Sequence, residues 1–179
     1  INYFCKQILN ELVVDCLRLV DPETGKLKNG LTTQEVLWIG GGAVRDYFSK
    51  GYVKDTDYDI YFINQETMET CLNWLLSNQG KLILENQNVC KLSWKGKEID
   101  IIKRYYPEGP ENSFNDYDFT ICCAAITREN VYYRPTYFID LAKKALVMAN
   151  GSDLVFPLST MWRTQKYIKK GFSICRGGL

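Results

Sequence analysis

Apolar residues recur at helical spacing along the first 20 residues of the chain. The apolar positions are Ile8, Leu9, Leu12, Val13, Cys16, Leu17 and Val20. Polar residues fill the other faces, so the pattern predicts an amphipathic packing helix within residues 1–20. A polar stretch rich in turn residues, 21–30, separates this helix from the next apolar run.

The middle of the chain alternates short apolar runs with turn residues. A helical repeat of Met68, Leu72, Leu75 and Leu76 predicts one helix over 66–79, closed by Gly80. The remaining runs have strand length and composition. They predict strands at 36–39, 59–63, 82–84, 89–94 and 98–102.

A third helical pattern lies near the end of the given sequence. Its apolar stripe consists of Leu158, Met161, Ile168 and Phe172. Arg163, Lys166 and Lys170 recur on another face at helical spacing. This basic face is suited either to an RNA backbone or to plain solvation.

Composition narrows the class of protein. With 179 residues, 46% hydrophobic, 24% charged and a net charge of +1, the chain has the make-up of a soluble globular protein. It has neither an apolar run long enough to cross a membrane nor an N-terminal signal pattern, so we expect a cytoplasmic location. The seven cysteines form no C-x-x-C pair and histidine is absent, which argues against zinc sites, disulfides and histidine-dependent hydrolases.

The stretch from 36 to 62 carries the most specific chemistry. A strand pattern ends in Gly40, Gly41 and Gly42 before a helical opening, a geometry in which backbone amides approach a phosphate. Alternating carboxylates follow, and alternate residues of a strand share one face. Their spacing predicts a face of Asp55, Asp57 and Asp59 that holds divalent cations against a polyphosphate.

This stretch resembles a known family. The motif Gly-Gly-x-Val-Arg-Asp at 41–46, followed by Lys-Asp-x-Asp at 54–57, is similar to the head-domain signature of the tRNA nucleotidyltransferase (CCA-adding enzyme) and bacterial poly(A) polymerase family. That family is a branch of the DNA polymerase beta-like nucleotidyltransferases. The resemblance implies an α+β nucleotidyltransferase fold with a mixed sheet of about five strands flanked by helices. It also implies a head domain over 1–155 and a C-terminal helix, 156–179, that resembles the start of a neck domain.

The resemblance also implies a catalytic metal site. Two magnesium ions would be held by Asp57, by a partner for it, and by a third carboxylate from a later strand. Family spacing selects Asp55 as the partner, whereas apolar flanking residues select Asp59. Asp100 is the candidate for the third carboxylate, and Glu98, two residues earlier on the same strand face, is its rival.

Further residues are predicted to bind the nucleotide. The amides of Gly41 and Gly42 would hold the triphosphate, assisted by Arg45, which is equally suited to a salt bridge with Asp46. Asp118 and Thr120 lie in a segment similar to the family's Arg-Arg-Asp-Phe-Thr-Ile, although Asp116 and Tyr117 replace the two arginines. The alternative role of Asp118 is a helix N-cap.

The implied activity is transfer of a nucleoside monophosphate from a nucleoside triphosphate, ATP or CTP, to an acceptor hydroxyl, with release of pyrophosphate. An RNA 3′ end, as in tRNA processing, is the first predicted acceptor, with Arg163, Lys166 and Lys170 as RNA contacts and with a protein partner as a second source of acceptor specificity. The alternatives are modification of a protein or small molecule, and an inactive nucleotide-binding or assembly module. The intact acidic cluster argues against the inactive module.

Overall fold

The computed structural model describes Leu9 and residues 36–53, 55–149 and 157–174. The helix predicted within 1–20 lies outside these residues, except for Leu9, which is fully buried in the main core. The boundary predicted at 155 also lies outside them and stays a prediction.

In the described part of the chain, seven strands form one mixed sheet. They are β1 (Leu37–Gly40), β2 (Tyr58–Phe62), β3 (Lys81–Glu85), β4 (Val89–Trp94), β5 (Lys97–Ile102), β6 (Ala124–Ile126) and β7 (Val131–Tyr133). The order across the sheet is β3-β4-β5-β2-β1-β6-β7, with β2 and β5 parallel and the other pairs antiparallel. The α+β prediction is confirmed, with two strands more than the number expected.

Four α-helices lie within the described residues. They are α1 (Gly41–Lys50), α2 (Gln65–Ser77), α3 (Tyr137–Ala142) and α4 (Pro157–Lys169). Helix α2 begins after Asn64, whose side chain accepts a hydrogen bond from the Thr67 amide at 2.9 Å, and it matches the helix predicted at 66–79. A short parallel pair, β8 (Ala145–Leu146) and β9 (Ser173–Ile174), follows α3 and α4. In the described segments, no helix combines the length and apolar character needed to span a membrane.

The central strands bury different residues on their two faces. Tyr58, Ile60 and Phe62 of β2 enter the main core. The opposite face carries Asp59 and Tyr61, because side chains alternate along a strand. Tyr61 stacks on Trp38 at a centroid distance of 6.3 Å, so an acidic residue lies beside a second, aromatic layer.

Helix α4 does not bury the apolar stripe that the sequence predicts. Leu158, Met161 and Ile168 are 84%, 65% and 48% exposed. Phe172 is buried, but it lies beyond the end of the helix. The apolar stripe identified in the sequence is therefore mostly exposed on this helix.

The buried side of α4 consists of polar and aromatic side chains. Tyr167 packs under the guanidinium of Arg45, 5.0 Å from its ring centroid, and its hydroxyl lies 3.1 Å from Cys122 Sγ. Thr160 is also buried. The surface that receives α4 offers hydrogen-bond partners, and this explains why the polar face of the helix turns inward.

Candidate active site

The glycine turn lies directly against an acidic side chain. Helix α1 begins at Gly41, whose φ is +67°, immediately after β1. A Cβ atom on Gly41 would lie 2.7 Å from Asp59 Oδ2, and one on Gly42 would lie 3.1 Å from Thr56 Cγ2. Both the backbone angle and the space require glycine at 41. The amides of the first turn, which lack intrahelical partners, therefore begin beside the Asp59 carboxylate.

The three aspartates before and within β2 do not share one strand face, contrary to the prediction. Strand β2 begins at Tyr58, so Asp55 and Asp57 precede it and only Asp59 belongs to it. Asp55 has a φ of +55° and is exposed. A positive φ is incompatible with an extended strand, so the alternation ends before it reaches Asp55. The Asp57 side chain remains 39% exposed.

Strand β5 brings Asp100 beside Asp59. The two residues are register partners across the parallel β2–β5 pair. The side chain of Asp100 is 14% exposed, whereas that of Glu98 is 60% exposed. Asp100 is thus the more enclosed of the two carboxylates predicted on this strand, and its metal-binding role stays a prediction.

Lys91 is a residue of the site that the sequence analysis missed. It lies on β4, in register with Asp100. Its Nζ is 2.9 Å from Asp100 Oδ1, 3.0 Å from Asp57 Oδ2 and 3.3 Å from Glu98 Oε2. The only signal in the sequence is one lysine between buried Cys90 and Leu92, and its partners follow only from the β4–β5 register.

The charges of this cluster change the pKa values of its carboxyl groups. Burial opposes ionisation of Asp57, but the hydrogen bond and charge of Lys91 outweigh it and lower the pKa of Asp57. Burial, followed by the charges of Asp57 and Asp100, raises the pKa of Asp59 to about 7. Burial also raises the pKa of Asp100, against the opposing effect of Lys91. The single positive charge of Lys91 therefore does not fully compensate the negative charges of Asp57, Asp59 and Asp100.

The raised pKa of Asp59 predicts a pH-dependent stability in a chelating buffer. In the unfolded chain Asp59 ionises near its ordinary pKa of about 3.9, whereas the folded protein keeps the proton up to about pH 7. The folded state therefore loses up to ~4 kcal/mol as the pH rises across this interval. Urea unfolding of the wild type and of Asp59→Asn measures this loss as a difference in the free energy of unfolding. A difference that stays constant from acid to neutral pH contradicts the prediction.

A cavity of about 510 Å³ opens next to the acidic cluster. Its lining includes Asp55, Asp57 and Glu98 together with Lys97 and Lys166. Lys166 comes from α4, so a residue predicted from the sequence as an RNA contact lies at the same cavity as the predicted metal ligands. The cavity combines both signs of charge at its walls.

Arg45 and Asp46 form a buried pair behind the glycine turn. Arg45 donates from Nε and Nη2 to Asp46 Oδ1 at 2.9 and 2.6 Å. The other carboxylate oxygen of Asp46 accepts from Thr56 Oγ1 at 2.7 Å, which ties the loop before β2 to α1. This geometry matches the salt bridge given as the alternative for Arg45, and its contact with a nucleotide stays a prediction.

The remaining predicted residues connect α4 to the rest of the protein. Asp118 accepts hydrogen bonds from Thr160 Oγ1 at 2.8 Å and from Arg163 Nη1. It is not the N-cap of the short helix that begins at Thr120, since the cap position is Phe119. Thr120 itself donates to the buried Asp140 at 2.7 Å. Asp118 and Arg163, predicted for two different ligands, are therefore partners of each other.

Lys170, the third predicted RNA contact, lies near the Arg45–Asp46 pair. Burial and the charge of Arg45 lower its pKa, and the charge of Asp46 partly offsets this effect. Lys170 remains exposed, and RNA contact by this residue stays a prediction.

The side chains of the cluster are of the type that binds a divalent cation, although their spacing in this structure does not enclose one. Asp57, Asp59 and Asp100 offer carboxylate oxygens, the ligands that magnesium prefers, and the Lys91 ammonium shows that positive charge is accommodated between two of them. Among the residues that the structure describes, no group of three or more acidic, cysteine or histidine side chains is spaced to enclose an ion. Two of the three carboxylates instead face Lys91.

Comparison with solved structures supports the fold. A tRNA-processing enzyme in an apo form superimposes with a TM-score of 0.73 at 15% identity, covering 99% of this chain and 45% of the other. The Bacillus stearothermophilus CCA-adding enzyme in complex with CTP gives a TM-score of 0.66 at 16% identity, covering 97% and 40%. The predicted resemblance is thus confirmed for the fold, a nucleotidyltransferase head, and at these identities for the fold alone.

Comparison with protein families identifies a family other than that of the CCA-adding enzymes. The protein named Gabija anti-defense 2 from Bacillus phage SPbetaL7 is 24% identical over 140 residues, which cover 77% of this chain and 34% of the phage protein. The chain thus spans about a third of that relative and less than half of the two solved structures. The model of the Gabija anti-defense 2 family matches residues 3–144, well over half of the sequence. The chain therefore belongs to the Gabija anti-defense 2 family.

Proposed function

We propose that this protein is a metal-dependent nucleotidyltransferase. It transfers a nucleoside monophosphate from ATP or CTP to an acceptor hydroxyl, and pyrophosphate leaves. The observation that carries the proposal is the Gly41 turn against Asp59, which is itself in register with Asp100. A phosphate-binding turn and adjacent carboxylates are the two halves that this chemistry requires.

Each part of the site has a role in this reaction. The amides of Gly41 and Gly42 bind the triphosphate, and Asp57, Asp59 and Asp100 hold magnesium. When bound, magnesium supplies neutralisation of the phosphate charge. The acceptor hydroxyl passes its proton to a carboxylate oxygen of the cluster as it attacks the α-phosphate. Positioning and charge compensation account for most of the acceleration in reactions of this type.

An RNA 3′ end is the first proposed acceptor. The basic side chains of Lys97 and Lys166 line the cavity beside the carboxylates. Cationic groups in such a cavity attract the phosphate backbone of an RNA. One of the solved proteins with a similar fold is a tRNA-processing enzyme, which favours the same acceptor class.

A component of the Gabija defence is the second proposed acceptor. The name of the family denotes action against that defence, and the relative comes from a phage. Transfer of a nucleotide to a hydroxyl of a defence protein would serve this action. A further protein partner that selects the acceptor is also compatible with it.

The test is incubation of the protein with each α-labelled nucleoside triphosphate, magnesium, and either total RNA or purified Gabija components. Label in RNA supports the first acceptor, and label in a defence component supports the second. Asp59→Asn is the inactive comparison. Nucleotide binding without transfer to either acceptor shows a nucleotide-binding module and overturns the enzymatic proposal.

A further inference from the structure

The amino group of Lys91 occupies an unusual position for a strand lysine. An ordinary cross-strand ion pair joins one cation to one carboxylate. Lys91 Nζ instead lies within 3.3 Å of carboxylate oxygens from Asp57, Glu98 and Asp100, which belong to two separate segments of the chain. A cation bound by several converging carboxylates has the surroundings of a bound metal ion.

The sheet holds this ammonium in place. Strands β4 and β5 pair over six successive residues, with Lys91 opposite Asp100. Cys90 and Leu92, the neighbours of Lys91, are buried in the main core. Lys91 is therefore directed to the acidic face by the same alternation that buries its neighbours, and its side chain is only 21% exposed.

The charge balance leaves room for one further cation. Asp57, Asp59 and Asp100 carry three negative charges when ionised, and Lys91 compensates one of them. Glu98 also contacts Lys91, but its side chain is 60% exposed, so solvent screens its charge. A single divalent ion compensates the remaining two. A second divalent ion would have to share carboxylates with an ammonium about 3 Å from them, against its repulsion.

We propose that Lys91 is a built-in cation of the site, which takes the place of one metal ion and limits the acidic cluster to a single divalent ion. The proposal rests on the proposed function insofar as it takes Asp57, Asp59 and Asp100 as the metal ligands. It replaces the two ions expected from the sequence resemblance with one ion and one lysine.

The test is a titration with Mn²⁺ alone, in which electron paramagnetic resonance measures the free ion. The wild type is expected to bind one Mn²⁺. Lys91→Met, which removes the charge and keeps the side-chain length, is expected to bind two, the first at least ~10-fold more tightly because the repulsion is gone. Lys91→Arg keeps the charge and should bind one.

Lys103→Met is the matched control. Lys103 has nearly the same side-chain exposure as Lys91, 22% against 21%, and forms an ion pair with Glu85 at 2.6 Å rather than with the acidic cluster. The Lys103→Met variant should bind one Mn²⁺ with the same affinity as the wild type. A wild type that binds two ions or none overturns the proposal, whether or not Lys91→Met folds. Loss of the proposed function would appear separately, as absence of labelled product.

Discussion

Asp59→Asn is expected to lower nucleotidyl transfer by roughly 10³-fold, because it removes one of the proposed metal ligands from the centre of the site. Asp59 is the carboxylate that lies against the Gly41 turn and in register with Asp100. Its replacement therefore affects both the phosphate side and the metal side of the reaction. The measurement is the initial rate of label transfer at saturating nucleotide and magnesium.

Asp55→Asn is the comparison that separates the two partners left open by the sequence. Asp55 is exposed and precedes β2, so its replacement should reduce the rate far less. Because Asp59→Asn also removes a carboxyl group with a raised pKa, it should be at least as stable as the wild type near neutral pH in chelator. A larger loss for Asp55→Asn than for Asp59→Asn would assign the catalytic pair to Asp55 and Asp57.

Arg45→Met is expected to lower the free energy of unfolding by about 3 kcal/mol, since it leaves the buried Asp46 carboxylate without its main partner. Both side chains are at most 4% exposed. The substitution also removes the cation that lies over the Tyr167 ring, so the attachment of α4 should weaken as well. Urea unfolding followed by circular dichroism measures the change.

Arg128→Met is the matched control for this experiment. Arg128 pairs with its neighbour Glu129 at 3.4 Å, but both side chains are about half exposed. An exposed pair of this kind contributes less than about 1 kcal/mol. If Arg45→Met and Arg128→Met lower the free energy of unfolding by the same amount, burial of the Arg45–Asp46 pair adds nothing to stability and our interpretation of that pair is wrong.

The acidic segment 55–59 shows where the alternating pattern of a strand stops predicting which residues share a face. The period-two pattern correctly describes β2 itself, where Tyr58, Ile60 and Phe62 are buried and Asp59 lies on the other face. It fails at Asp55, because a single residue with positive φ ends the extended conformation. Spacing in the sequence assumes a continuous strand, and the backbone angle that interrupts it leaves no reliable trace in the residue types.

The C-terminal helix shows a second limit of sequence patterns. Its existence was confirmed at Pro157–Lys169, since helical periodicity is a local property. The buried face depends on the surface that receives it, and here Arg45, Asp118 and Cys122 offer polar contacts to Arg163 and Tyr167. An apolar stripe therefore does not identify the inward face when the facing surface is polar.

The sequence by itself determined the glycine turn, the acidic residues that follow it, and most strands and helices between 36 and 102, because these depend on neighbours within a few positions. Only the tertiary structure decided that Asp59 meets Asp100, that Lys91 stands among the carboxylates and that Asp118 binds Arg163. Those contacts join residues 41, 34 and 45 positions apart in the chain. Strand register and helix packing set them, and neither is encoded in local periodicity.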